Sequence, residues 1–141
     1  MIRTAGQVID RSVLATIEYG VSELNIPLLV VMGHDSCDAV KAAAAPKAPF
    51  ESANLDYTLR AIQAARRTPP AADEREEIRS LVLANVEQAI NDAMAKSPLL
   101  RKRVTDGAIE VVGAYFELVS GRVMFSEPVP HPAPPAMISK K

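Results

Sequence analysis

A histidine and a cysteine lie three residues apart at the end of an apolar run. Residues 28–32 are Leu-Leu-Val-Val-Met, and Gly33 leads from them to His34 and Cys37. An imidazole and a thiolate are ligands that zinc prefers, and a turn between a strand and a helix can present both on one side. The pair therefore indicates half of a zinc site. The residues alone also allow a second interpretation, in which His34 is hydrogen-bonded into the fold and Cys37 packs as a small apolar side chain.

The elements around this turn alternate between helix and strand. Before the apolar run, apolar residues recur at steps of four and three, which predicts a helix with one buried face: Ile9, Val13, Ile17, Val21 and Leu24. Asp10 is its predicted N-cap, and an Asn-Ile-Pro sequence is predicted to end it. Residues 28–32 are continuously apolar, as in a strand covered on both faces. Asp35 or Ser36 is predicted to cap a short helix over about 37–45, so the element order predicts an α/β domain.

Three more helices are predicted in the middle of the chain. Residues 46–50 are predicted to be a linker, and Asn54 is predicted to cap a helix with these side chains inward: Leu55, Leu59 and Ile62. A long helix starts near Asp73 and has a predicted buried stripe: Ile78, Leu81, Val82, Asn85, Val86, Ala89, Ile90 and Ala93. Ser97 and the proline after it open a short helix, which Gly107 closes.

The end of the chain predicts two strands and a tail. Residues 108–118 and 122–125 are rich in β-branched and aromatic residues on either side of a Ser-Gly turn, which predicts a hairpin. Five prolines follow, and proline cannot donate to a strand ladder. The sequence therefore predicts an α/β domain over residues 1–127 and a proline-rich, disordered tail over residues 128–141.

The composition excludes several classes of partner. The 141 residues carry a net charge of −1 with both signs interspersed, so a nucleic-acid partner is not expected. No apolar run reaches the length of a membrane span, and the first residues do not resemble a secretory signal. A single cysteine excludes an internal disulfide and suits a reducing compartment. These features predict a cytoplasmic protein with no membrane partner.

Several short motifs, in their order and spacing, resemble the β-class carbonic anhydrases. They are Arg-Thr-Ala-Gly at residues 3–6, the helix residues 12–21, and the segment 30–40 that contains Gly-His-Asp-Ser-Cys. The strand residues 111–118 and the Gly-Arg-Val at 121–123 also resemble the last two strands of that family. The resemblance covers residues 2 to about 126. The chain is similar in particular to the members of the actinobacterial type.

The resemblance implies a fold, a cofactor and a reaction. The expected fold is a mostly parallel sheet flanked by helices, here lacking the family's first strand. His34 and Cys37 match two of three protein ligands of a zinc ion. Thr4, Ala5 and Gly6 match a loop that lines the site, and Asp35 lies close to the metal. The expected reaction is that of a lyase, the reversible hydration of carbon dioxide to bicarbonate by a zinc-bound hydroxide, in a homodimer or tetramer.

Two departures from the family pattern qualify these expectations. The family's first zinc cysteine lies in a Cys-x-Asp-x-Arg motif upstream of the Arg-Thr-Ala-Gly loop, and this chain begins at that loop. We therefore assign no residue a catalytic role and expect weak zinc binding and little activity. The expected explanation of the missing motif is that Met1 is a misassigned start or that the chain is a fragment. Asp38 stands where the family usually has glycine. The alternative is a non-catalytic relative that acts as a dimerisation or regulatory module.

Overall fold

Three strands form one sheet in the computed structural model, which describes residues 1–45 and 52–130. The strands are β1 (Leu28–His34), β2 (Glu110–Phe116) and β3 (Val123–Phe125). β1 and β2 are parallel, and β3 pairs antiparallel with the other side of β2. The predicted α/β class, with a sheet flanked by helices, is confirmed, as is the hairpin of β2 and β3.

Over the same described residues, five helices and one short 3₁₀ turn surround the sheet. The turn spans Ala5–Gln7, and the helices are α1 (Arg11–Ser22), α2 (Asp38–Ala44), α3 (Ala53–Ala64), α4 (Glu74–Lys96) and α5 (Pro98–Thr105). The carboxylates of Asp10 and Asp73 cap α1 and α4 by accepting backbone N–H groups, each at 2.8 Å. The Ser97 hydroxyl caps α5 at 3.0 Å. These three helix starts agree with the sequence analysis, because a side-chain cap is a local interaction.

The starts of α2 and α3 differ from the prediction. Cys37 occupies the N-cap position of α2 and makes no side-chain cap bond. Asp35 does not cap α2, because its carboxylate accepts the Leu118 N–H at 3.0 Å instead. Ser52, rather than Asn54, caps α3 by accepting a backbone N–H at 3.4 Å. The predicted linker at 46–50 lies outside the described residues.

Helix α4 lies against the sheet and joins two apolar clusters. Its eight buried residues are those of the predicted stripe. Val86 and Ile90 pack in a cluster with α1, α5 and the sheet, whereas Leu81 and Val82 pack in a second cluster with α2 and α3. Burial of such side chains from water supplies most of the stabilisation of a domain of this size. Helix α4 therefore fixes the position of α2 and α3 relative to the strands.

A partly buried ion pair holds the connection between α3 and α4. Glu77 pairs with Arg66 and also accepts the Ala71 N–H at 2.8 Å. Burial by itself would raise the pKa of Glu77, but the two hydrogen bonds and the Arg66 charge hold the pKa below its usual value. The ionised carboxylate thus fixes the chain just before α4.

Three expectations about burial are wrong. Leu24 and Leu55 are exposed, because Leu24 follows the end of α1 and Leu55 lies in the first turn of α3. Strand β1 is not covered on both faces, since Leu28 and Met32 are 46% and 44% exposed. The side chain of Val31 and the Cα of Gly33 face the helices instead, as the alternation of a strand requires.

One backbone hydrogen bond connects the start of the predicted tail to β2. The Val129 N–H donates to the Val111 carbonyl at 2.8 Å, and the Val129 side chain packs against the core. Pro128 and Pro130 flank Val129 without removing its own N–H. Residues 126–130 belong to no strand, so this bond does not extend the ladder, and the prediction that the tail cannot join one stays a prediction. Disorder over residues 131–141 remains a prediction, because those residues lie outside the described part of the chain. In the described part, every helix is too short or too polar to cross a bilayer.

The outer side of β1 has no strand partner within residues 1–45 and 52–130. Its N–H and C=O groups, next to the exposed Leu28 and Met32, form a template for association. We expect the chain to associate as its concentration rises. The Met32→Lys variant is expected to need a roughly tenfold higher concentration for the same degree of association, because a charge on an edge strand opposes pairing.

Light scattering across a dilution series measures this effect. Leu83→Lys is the matched control, since Leu83 is 45% exposed but lies on α4. A wild-type chain that stays monomeric at every concentration, or an equal effect of both lysines, would contradict the expectation.

Candidate metal site at the end of β1

His34 ends β1 with one ring nitrogen already engaged. Its Nδ1 lies 2.7 Å from the backbone carbonyl oxygen of Asp35. A carbonyl only accepts, so Nδ1 must carry the proton, and the neutral ring then has its lone pair on Nε2. A metal-bound histidine is oriented in the same manner by a hydrogen bond from its other nitrogen. The hydrogen bond to the local backbone therefore leaves Nε2 as the ring nitrogen of His34 with an available lone pair.

Cys37 lies at the start of α2, with 9% of its surface exposed. It is a free cysteine and belongs to the apolar cluster that includes Val40 and Tyr115. A thiolate here would be a ligand suited to zinc, but a buried thiol in apolar surroundings is also an ordinary packing residue. The burial of Cys37 agrees with both interpretations of the sequence.

The described residues do not form a complete zinc site. A catalytic zinc ion usually has three protein ligands. Within residues 1–45 and 52–130, no three His, Cys, Asp or Glu side chains are grouped so that they could hold one metal ion. His34 and Cys37 thus have the donor chemistry for zinc, but in number they fall short of a catalytic centre.

Asp35 ties the turn between these two residues to β2. Its backbone N–H donates to the Phe116 carbonyl at 3.0 Å, and its Oδ1 accepts the Leu118 N–H, also at 3.0 Å. The carboxylate thereby satisfies a backbone donor that follows β2. This geometry assigns Asp35 the role of fixing the turn that carries His34 and Cys37.

The loop with Thr4, Ala5 and Gly6 packs beside the same end of β1. Thr4 and Ala5 are exposed, whereas Gly6 is buried with a φ of 67°, in the region that favours glycine. The carbonyl of Gly6 accepts the Asn85 Nδ2–H at 2.7 Å, a buried hydrogen bond between residues 79 positions apart. Helix α4 therefore holds the loop in place.

Gln7 and Gly33 bring the loop and the strand together. A Cβ on Gly33 would lie 2.6 Å from a methyl of Val82 and 3.3 Å from Nε2 of Gln7. Only glycine at this position lets α4 and Gln7 approach the strand so closely, one residue before His34. The Nε2 of Gln7 is buried and has no hydrogen-bond partner among the described residues.

Asn85 and Gln7 were not among the predicted site residues. The sequence contains one indication of this contact, because Asn85 is a single polar residue within an otherwise apolar stripe of α4. A buried amide needs a partner, so such a residue points to a specific contact elsewhere in the fold. The sequence does not reveal that the partner is the carbonyl of Gly6.

The chain matches known carbonic anhydrases over most of its length. A family model described as carbonic anhydrase matches residues 1–123. The chain is 35% identical over 135 residues to carbonic anhydrase 2 of Mycobacterium tuberculosis, covering 90% of this chain and 62% of the relative. It is 38% identical over 127 residues to a carbonic anhydrase of Mycolicibacterium smegmatis, covering 87% of this chain and 60% of the relative. The chain thus spans about three-fifths of the length of these relatives.

Solved structures show the same fold. A Coccomyxa β-carbonic anhydrase in complex with acetazolamide has a TM-score of 0.80 at 21% identity, covering 92% of this chain and 62% of that chain. One of two tetrameric β-carbonic anhydrases from Sordaria macrospora has a TM-score of 0.77 at 24% identity, and the match covers 88% of this chain and 66% of that chain. Since the matched family model extends over 123 of the 141 residues, from the Thr4 loop through β2, the chain belongs to the β-carbonic anhydrase family.

Proposed function

We propose that this chain contributes His34 and Cys37 to a zinc site that serves the reversible hydration of carbon dioxide to bicarbonate. The family match over residues 1–123 carries this proposal, because it includes the turn with both residues. The Nδ1–H of His34 supports it further, since that hydrogen bond leaves Nε2 free to bind a metal. Thr4, Ala5 and Gly6 would line the site on the side of α4.

We expect the 141-residue chain by itself to bind zinc weakly and to hydrate carbon dioxide slowly. Two protein ligands are one fewer than a catalytic zinc ion usually has. The Asp35 carboxylate is hydrogen-bonded to the backbone just after β2, and Asp35 is proposed to fix the turn rather than to carry a proton. The physiological form is proposed to be a homodimer or tetramer, a proposal supported by the similar fold of the tetrameric enzymes from Sordaria macrospora. A cytoplasmic location fits the proposal, because Cys37 must stay a reduced thiol to bind a metal.

A second candidate function follows from the burial of Cys37. With 9% of its surface exposed, in an apolar cluster, Cys37 could serve packing alone. The chain would then be a non-catalytic relative that keeps the fold as a dimerisation or regulatory module. The two candidates differ in whether the metal affinity depends on His34 and Cys37.

Cobalt and zinc titrations of the full chain distinguish them. Cobalt gives a thiolate charge-transfer band if Cys37 is a ligand, and competition with zinc gives the affinity. We expect Cys37→Ser to remove the band, and His34→Ala and Cys37→Ser each to weaken zinc binding by roughly tenfold or more.

Ser36→Ala is the control, because it changes the same turn without removing a metal ligand. Equal zinc affinity in wild type, His34→Ala and Cys37→Ser would overturn the proposed ligands and favour the packing role. One tightly held zinc per chain, with rapid hydration of carbon dioxide, would instead show that the expected weakness is wrong.

A further inference from the structure

A cleft beside the candidate metal site lies where the parallel strands end. It has a volume of about 670 Å³ and is bounded by the turn after β1, the Lys41 side of α2, the first turns of α4 and the end of β2. Clefts of this size hold metabolite-sized ligands, and open α/β sheets bind ligands at the carboxyl ends of their strands. Asp35 and Ser36, from the turn between the two proposed metal ligands, line this cleft, whereas His34 and Cys37 do not.

Two arginines of α4 face the cleft without a carboxylate partner. Arg75 and Arg79 both line it, and their spacing of four residues places them on one side of the helix. In the described part of the chain, neither guanidinium lies within 4 Å of a carboxylate or in a side-chain hydrogen bond. Their N–H groups are therefore available to a ligand.

Tyr115 adds a hydroxyl to the same wall. The residue is 5% exposed, and its hydroxyl makes no hydrogen bond with any described residue. The guanidinium carbon of Arg79 lies 5.2 Å from the centre of the Tyr115 ring, a stacking contact that orients Arg79. Burial raises the pKa of Tyr115, and the Asp35 charge adds to that rise, so the hydroxyl is a donor at neutral pH.

Carboxylates on the cleft wall restrict the charge of a ligand. The five are Asp35, Asp73, Glu74, Glu76 and Glu117. Three of them are already engaged, since Asp35 and Asp73 accept backbone N–H groups and Glu117 accepts the Ser120 hydroxyl. These three carboxylates do not pair with the two guanidiniums. The summed charge of all five carboxylates opposes a ligand with several negative charges.

We propose that this cleft binds a small carboxylate whose remainder is neutral or cationic, such as an amino acid–like zwitterion. The planar guanidiniums of Arg75 and Arg79 match the two oxygens of a carboxylate, and the Tyr115 hydroxyl provides a third donor. The side chains of Glu74 and Glu76 have no hydrogen-bond or ion-pair partner among the described residues, and they are suited to a cationic end of the same ligand. This binding does not depend on zinc or on hydration of carbon dioxide.

Nuclear magnetic resonance titration of the full chain tests the proposal. The probes are 4-aminobutanoate, acetate and inorganic phosphate, and the signals are the side-chain N–H groups of the arginines. We expect saturable shifts at Arg75 and Arg79 with 4-aminobutanoate, weaker binding of acetate and the weakest binding of phosphate. Arg79→Gln is expected to weaken 4-aminobutanoate binding by roughly tenfold, and Tyr115→Phe by several-fold, since charge-assisted hydrogen bonds contribute more than neutral ones.

Arg11→Gln is the matched control, because it removes the same charge from an exposed position on α1. Arg75 and Arg79 are exposed and Tyr115→Phe keeps the ring, so these variants are expected to fold, which a thermal melt verifies. Absence of saturable shifts would overturn the proposal, as would equal weakening by Arg11→Gln. Tighter binding of phosphate than of 4-aminobutanoate would overturn the assigned ligand class.

Discussion

Gly6→Ala is expected to lower the free energy of unfolding by about 3 kcal/mol. Gly6 has a φ of 67°, which costs about 1–2 kcal/mol for a residue with a Cβ. A Cβ at this position would also lie 2.8 Å from Cγ1 of Ile62, a side chain with no exposed surface. Overpacking of this kind typically costs about 1–3 kcal/mol. Urea unfolding followed by circular dichroism measures the loss.

Gly121→Ala separates the two contributions. Gly121 has a similar φ of 70°, but a Cβ there would meet no atom within 4 Å. Its substitution should therefore cost only the backbone term, about 1 kcal/mol. In an Ile62→Val background the cost of Gly6→Ala should fall by about 1 kcal/mol, because the two side chains share one space. Equal losses for Gly6→Ala and Gly121→Ala would show that Ile62 does not restrict the loop.

Asn85→Asp is expected to destabilise the fold by about 3 kcal/mol or more at neutral pH. Asn85 is 4% exposed, and its Nδ2 donates to the Gly6 carbonyl. An ionised aspartate has no donor for that carbonyl and would be an unpaired buried charge. The same variant should increase hydrogen exchange in the Thr4–Gln7 loop, which mass spectrometry detects.

The destabilisation should depend on pH in a defined direction. Burial would raise the pKa of an aspartate at position 85 above its unfolded value of about 3.9. Below that unfolded value the neutral carboxyl could donate to Gly6, so the variant is closest to wild type in acid. The difference between the two proteins then grows as pH rises from the unfolded pKa towards the folded pKa, and it levels off above the folded pKa.

Asn54→Asp is the control for this pH dependence. Asn54 is exposed on α3, and its change should stay within about 0.5 kcal/mol at both acid and neutral pH. A pH-independent loss for Asn85→Asp would count against the buried-charge explanation.

The sequence determined the elements that depend on neighbouring residues. The caps of α1, α4 and α5 and the eight-residue stripe of α4 all agree with the structure. Each is set by spacing within one turn or one helix face, and these spacings are visible in the chain. The short motifs by themselves likewise indicate the family, and the family match confirms it.

Only the tertiary structure decided which distant groups meet. The bond of Asn85 to Gly6, the use of Asp35 by the backbone after β2, and the contact of Val129 with β2 join residues far apart in the chain. Local spacing favoured Asp35 as a helix cap, but the parallel pairing of β1 and β2 brings the N–H of Leu118 to the same carboxylate. Buried polar groups must find partners, and which partner each one finds depends on how the helices pack on the sheet.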